Sequence, residues 1–303
     1  MGSVSLLKLG LSNKKKEKFL EESYLGSFKE CQIDKFEIER LILKETNKNL
    51  EVLEFIKSYF NIFERNVHIT STTTNFNIDK LNKVKVSDIV NLKKVNDSRY
   101  LNKFFESINL KLPNSGLFFG CVETYPNRRK TILSKYPLII NWCVYFFDTL
   151  FTRVFPKLIF TKKIYFYLTK GRGRVLSRAE IYGRLYSCGF EIVDEKSIKN
   201  TQYFIAKKVK SPVFDSDPTY GPIIRLKRIG KDGKKFNVYK LRTMHPYSEY
   251  LQEYVYKRNS LQEGGKIKDD FRISPEGRVF RKFWIAKNDG RNYGVREKVF
   301  RSL

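Results

Sequence analysis

Strand-like and helix-like patterns alternate between residues 66 and 208, and this alternation constrains the fold more than any other feature. The runs Val67 to Thr72, Val84 to Val90 and Leu117 to Val122 are rich in β-branched or aromatic residues, as in buried strands. Ser98 to Asn109 has apolar residues at helical spacing. The alternation predicts an α/β fold built on a parallel sheet. Residues 1–65, which precede it, have apolar residues at three- and four-residue spacing and are predicted to form a helical lead-in.

A further helix and a pair of strands complete this region. Ser177 to Ser187 begins with a Ser-x-x-Glu capping box that includes Glu180, and the helix is expected to end at Gly189. Phe190 to Val193 and Tyr203 to Lys207 are predicted to form a hairpin-like pair of strands.

This last helix and the sequence CGFEIVDEKSIKNTQYFIAKK resemble the end of a class I methyltransferase-like Rossmann domain. A methyltransferase needs a glycine-rich turn after its first strand, so that backbone N–H groups can approach the cofactor. Residues 60–90 contain no such loop, and Gly171 to Arg174 (GRGR) is interpreted as a basic turn. The resemblance therefore implies a degenerate methyltransferase-like α/β domain over residues 66–208, with a Rossmann-like sheet and helices. S-adenosylmethionine is not expected to bind.

An aromatic and apolar insertion interrupts this domain at residues 136–169. One interpretation is that it lies in the interface of a membrane, with its lysines facing anionic lipid. The other is that it packs on the sheet as core. No stretch of the sequence approaches the ~20 uninterrupted apolar residues of a membrane-spanning helix. The candidate membrane contacts are Trp142, Tyr145, Phe146, Phe147 and Phe151.

The chain is strongly basic, with 59 Lys and Arg against 32 Asp and Glu and a formal charge of +27. Such a surface attracts polyanions, among them nucleic acid, anionic lipid and the pyrophosphate of a nucleotide sugar. Nucleic acid is the least favoured partner because no recognisable reader motif is present. The four cysteines are far apart and the two histidines cannot form a histidine-rich site, so neither a metal site nor a disulfide framework is predicted. A reducing cytoplasm fits this composition.

The character of the sequence changes after a linker at residues 209–220, which contains SPVFDSDPTY. Ile223 to Arg228 and Phe236 to Leu241 have strand patterns, and the loop between them contains Asp-Gly. This arrangement predicts a β-hairpin, with basic residues on and beside it.

Residues 219–285 resemble the bacterial sugar transferase family, the monotopic phosphoglycosyl transferases that act on a polyprenyl phosphate. The resemblance rests on GP, R-x-G-x-x-G, YK-x-RTM and FRISPEGRVFRKFW in the family's order. It implies transfer of a sugar 1-phosphate from a nucleotide sugar to a polyprenyl (undecaprenyl) phosphate, usually with magnesium. The expected place is the cytoplasmic face of the bacterial inner membrane, in exopolysaccharide, O-antigen, lipopolysaccharide or capsule biosynthesis. The expected fold is a small α+β domain that begins with the hairpin.

Both substrates of that reaction carry phosphate, which arginine and lysine recognise by charge and by paired hydrogen bonds. Each basic residue of the segment could instead be a solvated surface charge, and this alternative stays open. The candidate phosphate-binding residues are Arg228, Lys240, Arg242, Arg272, Arg281 and Lys282.

The family pattern breaks at residue 286. Family members have an adjacent aspartate and glutamate there, and the resemblance assigns the attack on the donor phosphate to the aspartate. This chain has Ala286 and Lys287, and it ends eighteen residues after Ile285. We therefore expect a truncated domain over residues 221–303, with no assigned catalytic residue and with weak or no turnover. The alternative is a non-catalytic, membrane-peripheral binding or assembly protein of the same pathway.

Overall fold

The structure is a computed structural model that describes most of the chain. The described residues are 36–64, 66–83, 86–214, 220–258 and 267–283. Contacts within the chain divide it into two compact units, Met1–Val67 and His68–Leu303. The predicted helical lead-in falls in the first unit, and the predicted α/β and sugar transferase regions fall together in the second.

Two helices form the described part of the first unit. Residues 36–45 form α1, and α2 spans Leu50–Lys57. The Asn49 side chain caps α2 by accepting a hydrogen bond at 3.2 Å from the N–H two residues further on, which satisfies a donor that the first turn leaves open. Lys57 forms an ion pair at 2.6 Å with Glu39 of α1. The described part of the predicted lead-in is therefore helical.

A five-stranded sheet lies at the centre of the α/β region. Its strands are β1 Val67–Thr70, β2 Asp88–Lys94, β3 Leu117–Val122, β4 Phe190–Ile198 and β5 Thr201–Lys208. The spatial order is β1-β2-β3-β5-β4, with β2 and β3 parallel and β5 antiparallel to both β3 and β4. The mixed α/β class is confirmed, whereas the expectation of a parallel sheet is wrong for its second half. The reason is the two-residue connection between β4 and β5, which can join only antiparallel strands.

The second strand lies further along the chain than the sequence pattern predicted. The prediction placed it at Val84 to Val90, and the structure places β2 at Asp88–Lys94. A buried asparagine explains the difference, because Asn91 sits in the strand interior and its side-chain oxygen accepts the N–H of Thr72 at 3.0 Å. A polar residue with such a partner can occupy a buried strand position.

Aromatic side chains fill the core beside the sheet. Phe118 of β3 lies with its ring centroid 5.8–6.1 Å from those of Phe105, Phe190 and Phe204. The helices α3 (Asn75–Asp79), α4 (Leu101–Lys111) and α8 (Arg178–Ser187) add buried apolar residues to the same cluster. This burial, which is the main favourable term in folding, holds the helices against the strands.

The predicted N-cap of α8 is confirmed in part. Ser177 Oγ accepts a hydrogen bond from the N–H of Glu180 at 2.9 Å, as a capping box requires. The Glu180 carboxylate does not complete the box, because it pairs instead with Arg184 at 2.7 Å. The helix gives way to a left-handed Gly189, as predicted (φ +83°).

The insertion contains two helices, α6 Leu138–Thr149 and α7 Ile159–Thr169, and helix α5 (Tyr125–Lys135) directly precedes it. Short π-helical and 3₁₀ turns at Leu150–Val154 and Phe155–Lys157 extend α6, and Leu158 is extended. A proline at residue 156 is compatible with this break because it lacks a backbone N–H.

The predicted hairpin is confirmed. Strands β6 (Ile223–Ile229) and β7 (Lys235–Leu241) pair in antiparallel register from Ile223 opposite Leu241 to Ile229 opposite Lys235. In the loop at residues 230–234, Asp232 and Gly233 have positive φ, a conformation that aspartate and glycine tolerate in turns. Two helices follow, α9 at Gln252–Arg258 and α10 at Pro275–Lys282.

Candidate functional site

The segment after residue 220 packs directly on α8. Gly183 leaves no room for a side chain, since a Cβ there would lie 2.2 Å from the carbonyl oxygen of Tyr247. The Tyr247 hydroxyl accepts a hydrogen bond from Asn102 at 2.6 Å and lies 2.9 Å from the hydroxyl of Tyr220. Leu251 and two residues of α9 join the core cluster of the α/β region. The two regions therefore share one hydrophobic core.

A carboxylate on β4 strengthens this contact. Glu195 accepts hydrogen bonds from Arg178 and Tyr182 of α8. It also forms an ion pair with Arg258 of α9 at 2.8 Å and a hydrogen bond with Tyr254 at 3.3 Å. One acidic side chain thus connects a strand, a helix of the α/β region and a helix of the following segment.

Arg272, a predicted phosphate-binding residue, has an internal carboxylate partner. It is buried and donates to both carboxylate oxygens of Asp270 at 2.8–3.2 Å, and to Gln252 at 2.5 Å. Burial alone would raise the pKa of the Asp270 carboxyl, but the hydrogen bonds from Arg272 hold that pKa below its usual value. In this structure the Arg272 guanidinium therefore stabilises the fold of the segment.

Arg242 and Arg281 lie on either side of one threonine. Arg242 Nε donates to the carbonyl oxygen of Gly221 at 2.8 Å, and Arg281 Nε donates to Thr243 Oγ1 at 3.2 Å. Burial lowers the pKa of the Arg242 guanidinium, which nevertheless stays protonated at neutral pH. Gly277 of α10 lets the helix approach this strand end, because a Cβ there would meet the Thr243 carbonyl oxygen at 2.0 Å.

The other predicted phosphate-binding residues are spread over the hairpin and α10. Lys240 lies opposite Ile224 at the end of the hairpin that leads to Arg242. Arg228 lies four residues from Ile224 along β6, about 13 Å away at the usual rise of a strand, and its side chain is exposed. Lys282 is exposed on α10. The structure thus joins Arg281 to Thr243, the residue that follows Arg242, and leaves Arg228 at the opposite end of the hairpin.

The predicted membrane contacts are largely exposed. Trp142, Phe146, Phe147 and Phe151 expose large parts of their rings, and Tyr145 is half-buried. Other exposed apolar residues on these helices are Leu138, Ile139, Ile140, Phe160, Ile164, Tyr167 and Leu168. We call these residues together the apolar surface. Its exposure does not fit the alternative of an insertion packed into the core.

One helical run in the apolar surface is longer than the sequence predicted. No stretch of the sequence was predicted to cross a membrane, but the run Leu138–Lys157 is long and apolar enough to do so by length and composition alone. Near the start of this run, the Arg129 guanidinium lies over the rings of Trp142 and Tyr145. Its central carbon is 5.2 and 5.8 Å from the two ring centroids. Such cation–π contacts are favourable at a boundary between apolar and polar surroundings.

A buried ion cluster was not singled out from the sequence. The carboxylate of Glu180 lies 2.7 Å from Arg184 and 3.7 Å from Lys157. Burial opposes ionisation of this carboxyl, but the positive charges of Lys157 and Arg184 lower its pKa to about 2. The four-residue spacing of Glu180 and Arg184 on a predicted helix was the available signal, whereas nothing local indicated Lys157.

His245 was also not assigned a role from the sequence. It is buried, and its ring nitrogens lie 3.1 and 3.3 Å from the hydroxyl of Tyr125. Burial, together with the positive charge of Lys157, lowers the pKa of His245 to about 4. The ring is therefore neutral at pH 7, as suits a residue that joins α5 to the segment after residue 220.

Magnesium was expected from the resemblance. Within the described ranges, no three His, Cys, Asp or Glu side chains gather in a way that could hold a metal ion. Ala286 and Lys287 lie outside the described residues.

Comparison with known proteins agrees with the resemblance of the C-terminal segment. Residues 213–287 match the family model described as bacterial sugar transferase. No curated protein matches the chain. The matched range includes the hairpin, the Arg242 and Arg281 pair and the buried Arg272. Over this range, about a quarter of its length, the chain is similar to the bacterial sugar transferases.

Proposed function

We propose that the protein acts in the transfer of a sugar 1-phosphate from a nucleotide sugar to a polyprenyl phosphate. The reaction would take place at the cytoplasmic face of the bacterial inner membrane, in the biosynthesis of a cell-surface polysaccharide. The observation that carries the proposal is the family match over residues 213–287. The apolar surface supports the membrane location, since the acceptor lipid is confined there.

The basic residues of the segment suit two phosphate-bearing substrates. Arg242 and Arg281 present two guanidinium groups on either side of Thr243. A guanidinium can donate two parallel hydrogen bonds to one phosphate and neutralises its charge. We assign substrate phosphate binding to this pair first. Lys240, Lys282 and Arg228 would extend the positive field.

The proposed transfer is slow because of the residues at the matching catalytic positions. Ala286 and Lys287 replace the family's acidic pair, and an alanine and a protonated lysine cannot attack phosphorus as a carboxylate does. No step of the proposal runs through magnesium, since no cluster of three candidate ligands occurs among the described residues. The substrates would still bind through the basic residues.

Release of nucleoside monophosphate tests the proposed reaction. The full chain is incubated with a nucleotide sugar, with and without added polyprenyl phosphate. We expect slow release that depends on the lipid and that Arg242→Ala abolishes, because one of the two guanidinium groups is lost.

Lys235→Ala is the matched control, since it removes an exposed positive charge from the same hairpin. It should leave the rate within about twofold of wild type, an effect of the size expected for a solvated charge. Absence of release under every condition would reject the enzymatic proposal and favour a non-catalytic binding or assembly protein of the same pathway.

A further inference from the structure

A cavity of about 1320 Å³ lies in the α/β region. One wall is the start of α4, which follows the carboxyl end of β2. A second wall is α7, and α8 closes the cavity with Glu180 and Arg184. Ligands of open α/β folds commonly bind beyond the carboxyl ends of the parallel strands. Of the described residues that line the cavity, Phe214 and Tyr220 belong to the range that matches the sugar transferase family, and the others lie outside that range.

The lining of this cavity is strongly positive. Among the described residues, the lining includes nine Lys or Arg side chains and two Glu. Glu180 is shared between Arg184 and Lys157, and Arg153 pairs with Glu276 at 2.8 Å. Three lysines of the lining, Lys103 and the α7 residues Lys162 and Lys163, form no ion pair with another described residue. A concave surface with this excess of positive charge concentrates anions.

Two arginines of the lining have donors that the described protein atoms do not use. Arg184 is buried, its side chain is 5% exposed, and its Nε has no hydrogen-bond partner among the described residues. Arg174 donates from Nη2 to the Ser98 carbonyl oxygen at 3.0 Å, but its Nε is likewise unpartnered there. A buried donor without an acceptor is unfavourable, because it has lost its hydrogen bonds to water. An anionic ligand would supply the acceptors.

The GRGR turn holds Arg174 in this wall. Gly173 N–H donates to the side chain of Asp97 at 2.8 Å, and the Arg174 carbonyl oxygen accepts from Asn96 at 2.9 Å. Gly171 has φ +88°, and a Cβ there would lie 3.0 Å from the Cα of Arg99. The turn is therefore fixed against the loop that follows β2, so the guanidinium is positioned before any ligand arrives.

Aromatic rings complete the lining. Phe166 and Tyr167 lie on α7, and Tyr100, Phe214 and Tyr220 lie on other walls. Arg184 lies over the ring of Tyr220 at 5.0 Å from its centroid. The cavity is far larger than an inorganic ion needs, and its rings suit the organic part of a ligand.

We propose that this cavity binds an organic phosphate ester, with its phosphate at Arg174, Arg184 and the lysines of α7 and its organic group against the aromatic rings. The phosphate could belong to a nucleotide or to a lipid whose chain continues along the exposed Tyr167 and Leu168 of α7. This site is additional to the proposed reaction. It is separate from the candidate phosphate-binding residues of the sugar transferase segment, and its test measures binding alone.

The test is calorimetric titration of the full chain with inorganic pyrophosphate and with UDP. A second arm measures sedimentation with phosphatidylcholine vesicles, with and without phosphatidic acid. The cavity variant is Lys162→Glu/Lys163→Glu, two exposed residues of α7. The matched control is Lys93→Glu/Lys199→Glu, which changes the net charge equally at exposed lysines outside the cavity. Arg174→Met is a second variant that keeps the aliphatic stem.

We expect a phosphate probe to bind and the cavity variant to weaken it at least about tenfold, with the control within about twofold. Arg174→Met should weaken the same probe. Tighter binding of UDP than of pyrophosphate would identify a nucleotide, and binding only to vesicles with phosphatidic acid would identify a lipid phosphate. Absence of binding in both arms, or equal losses in the cavity and control variants, would overturn the inference. Neither result depends on sugar transfer.

Discussion

Replacement of Trp142, Phe146 and Phe147 by serine is expected to abolish binding of the protein to lipid vesicles. These side chains are 51%, 63% and 67% exposed, so their loss removes little packing within the protein. Burial of one such ring in an apolar medium contributes about 1.5–3 kcal/mol, and 1.4 kcal/mol is tenfold in affinity. Even partial insertion of the three rings predicts a loss of at least about 100-fold.

Flotation of the protein with vesicles measures this loss. The matched control replaces three exposed aromatic residues outside the apolar surface, Phe76, Tyr239 and Tyr256, by serine. The control should float as wild type does. Equal recovery of wild type and the Trp142, Phe146 and Phe147 variant would show that the apolar surface does not contact lipid.

Replacement of Arg184 by leucine is expected to destabilise the second unit by about 3–5 kcal/mol, the usual cost of removing one partner from a buried ion pair. Arg184 and Glu180 are both buried, and Arg184 also donates to Asn102 at 2.5 Å. The variant leaves the Glu180 carboxylate with only Lys157, at 3.7 Å. Urea unfolding followed by circular dichroism measures the change, as a lower midpoint.

The matched control for Arg184→Leu is Lys257→Leu. Lys257 and Glu253 also form an ion pair at the four-residue spacing, but both are exposed on α9, so no measurable change in the midpoint is expected. Equal effects of the two substitutions would contradict a structural role for the buried cluster.

The loss of stability at acid pH gives a second measurement of the buried ion cluster of Glu180 and Arg184. The pKa of Glu180 falls from 4.5 to about 2 in the folded protein. The stability that Glu180 contributes is therefore present above pH 4.5 and is lost as the pH falls towards 2. Arg184→Leu should reduce this part of the acid dependence, because the carboxylate loses a positive neighbour.

Features set by short stretches of sequence could be predicted. The hairpin followed from strand patterns on both sides of an Asp-Gly turn, and the start of α8 followed from Ser177 and its N–H partner. The mixed α/β class followed from the alternation of patterns. Each of these depends on residues that are neighbours in the chain, so local propensity decides them.

Features that depend on distant residues could not be predicted. Asn91 accepts a hydrogen bond from Thr72, and Arg272 donates hydrogen bonds to Asp270 and Gln252. No sequence pattern predicted that these polar side chains would be buried. The basic cavity combines residues from 99 to 220. One interpretation of the sequence had the lysines of the insertion facing anionic lipid, whereas the fold places Lys162 and Lys163 in the lining of one cavity with Arg174 and Arg184.

The two interpretations of the aromatic insertion differed in where its rings would lie. The sequence could not separate them, since core helices and interfacial helices have the same apolar composition. The exposure of Trp142, Phe146 and Phe147 in the folded chain does not fit the core alternative, and the interfacial interpretation stays a prediction that flotation tests.

Mass spectrometry of the lipid after incubation with a nucleotide sugar tests the central claim most directly. The protein is mixed with vesicles that contain polyprenyl phosphate, either as wild type or as Ala286→Asp/Lys287→Glu. We expect a polyprenyl diphosphate sugar in small amount from wild type and at least about tenfold more from the variant, since a carboxylate can attack phosphorus where alanine cannot. If neither protein forms this lipid, the chain does not transfer a sugar 1-phosphate and the proposed function is wrong.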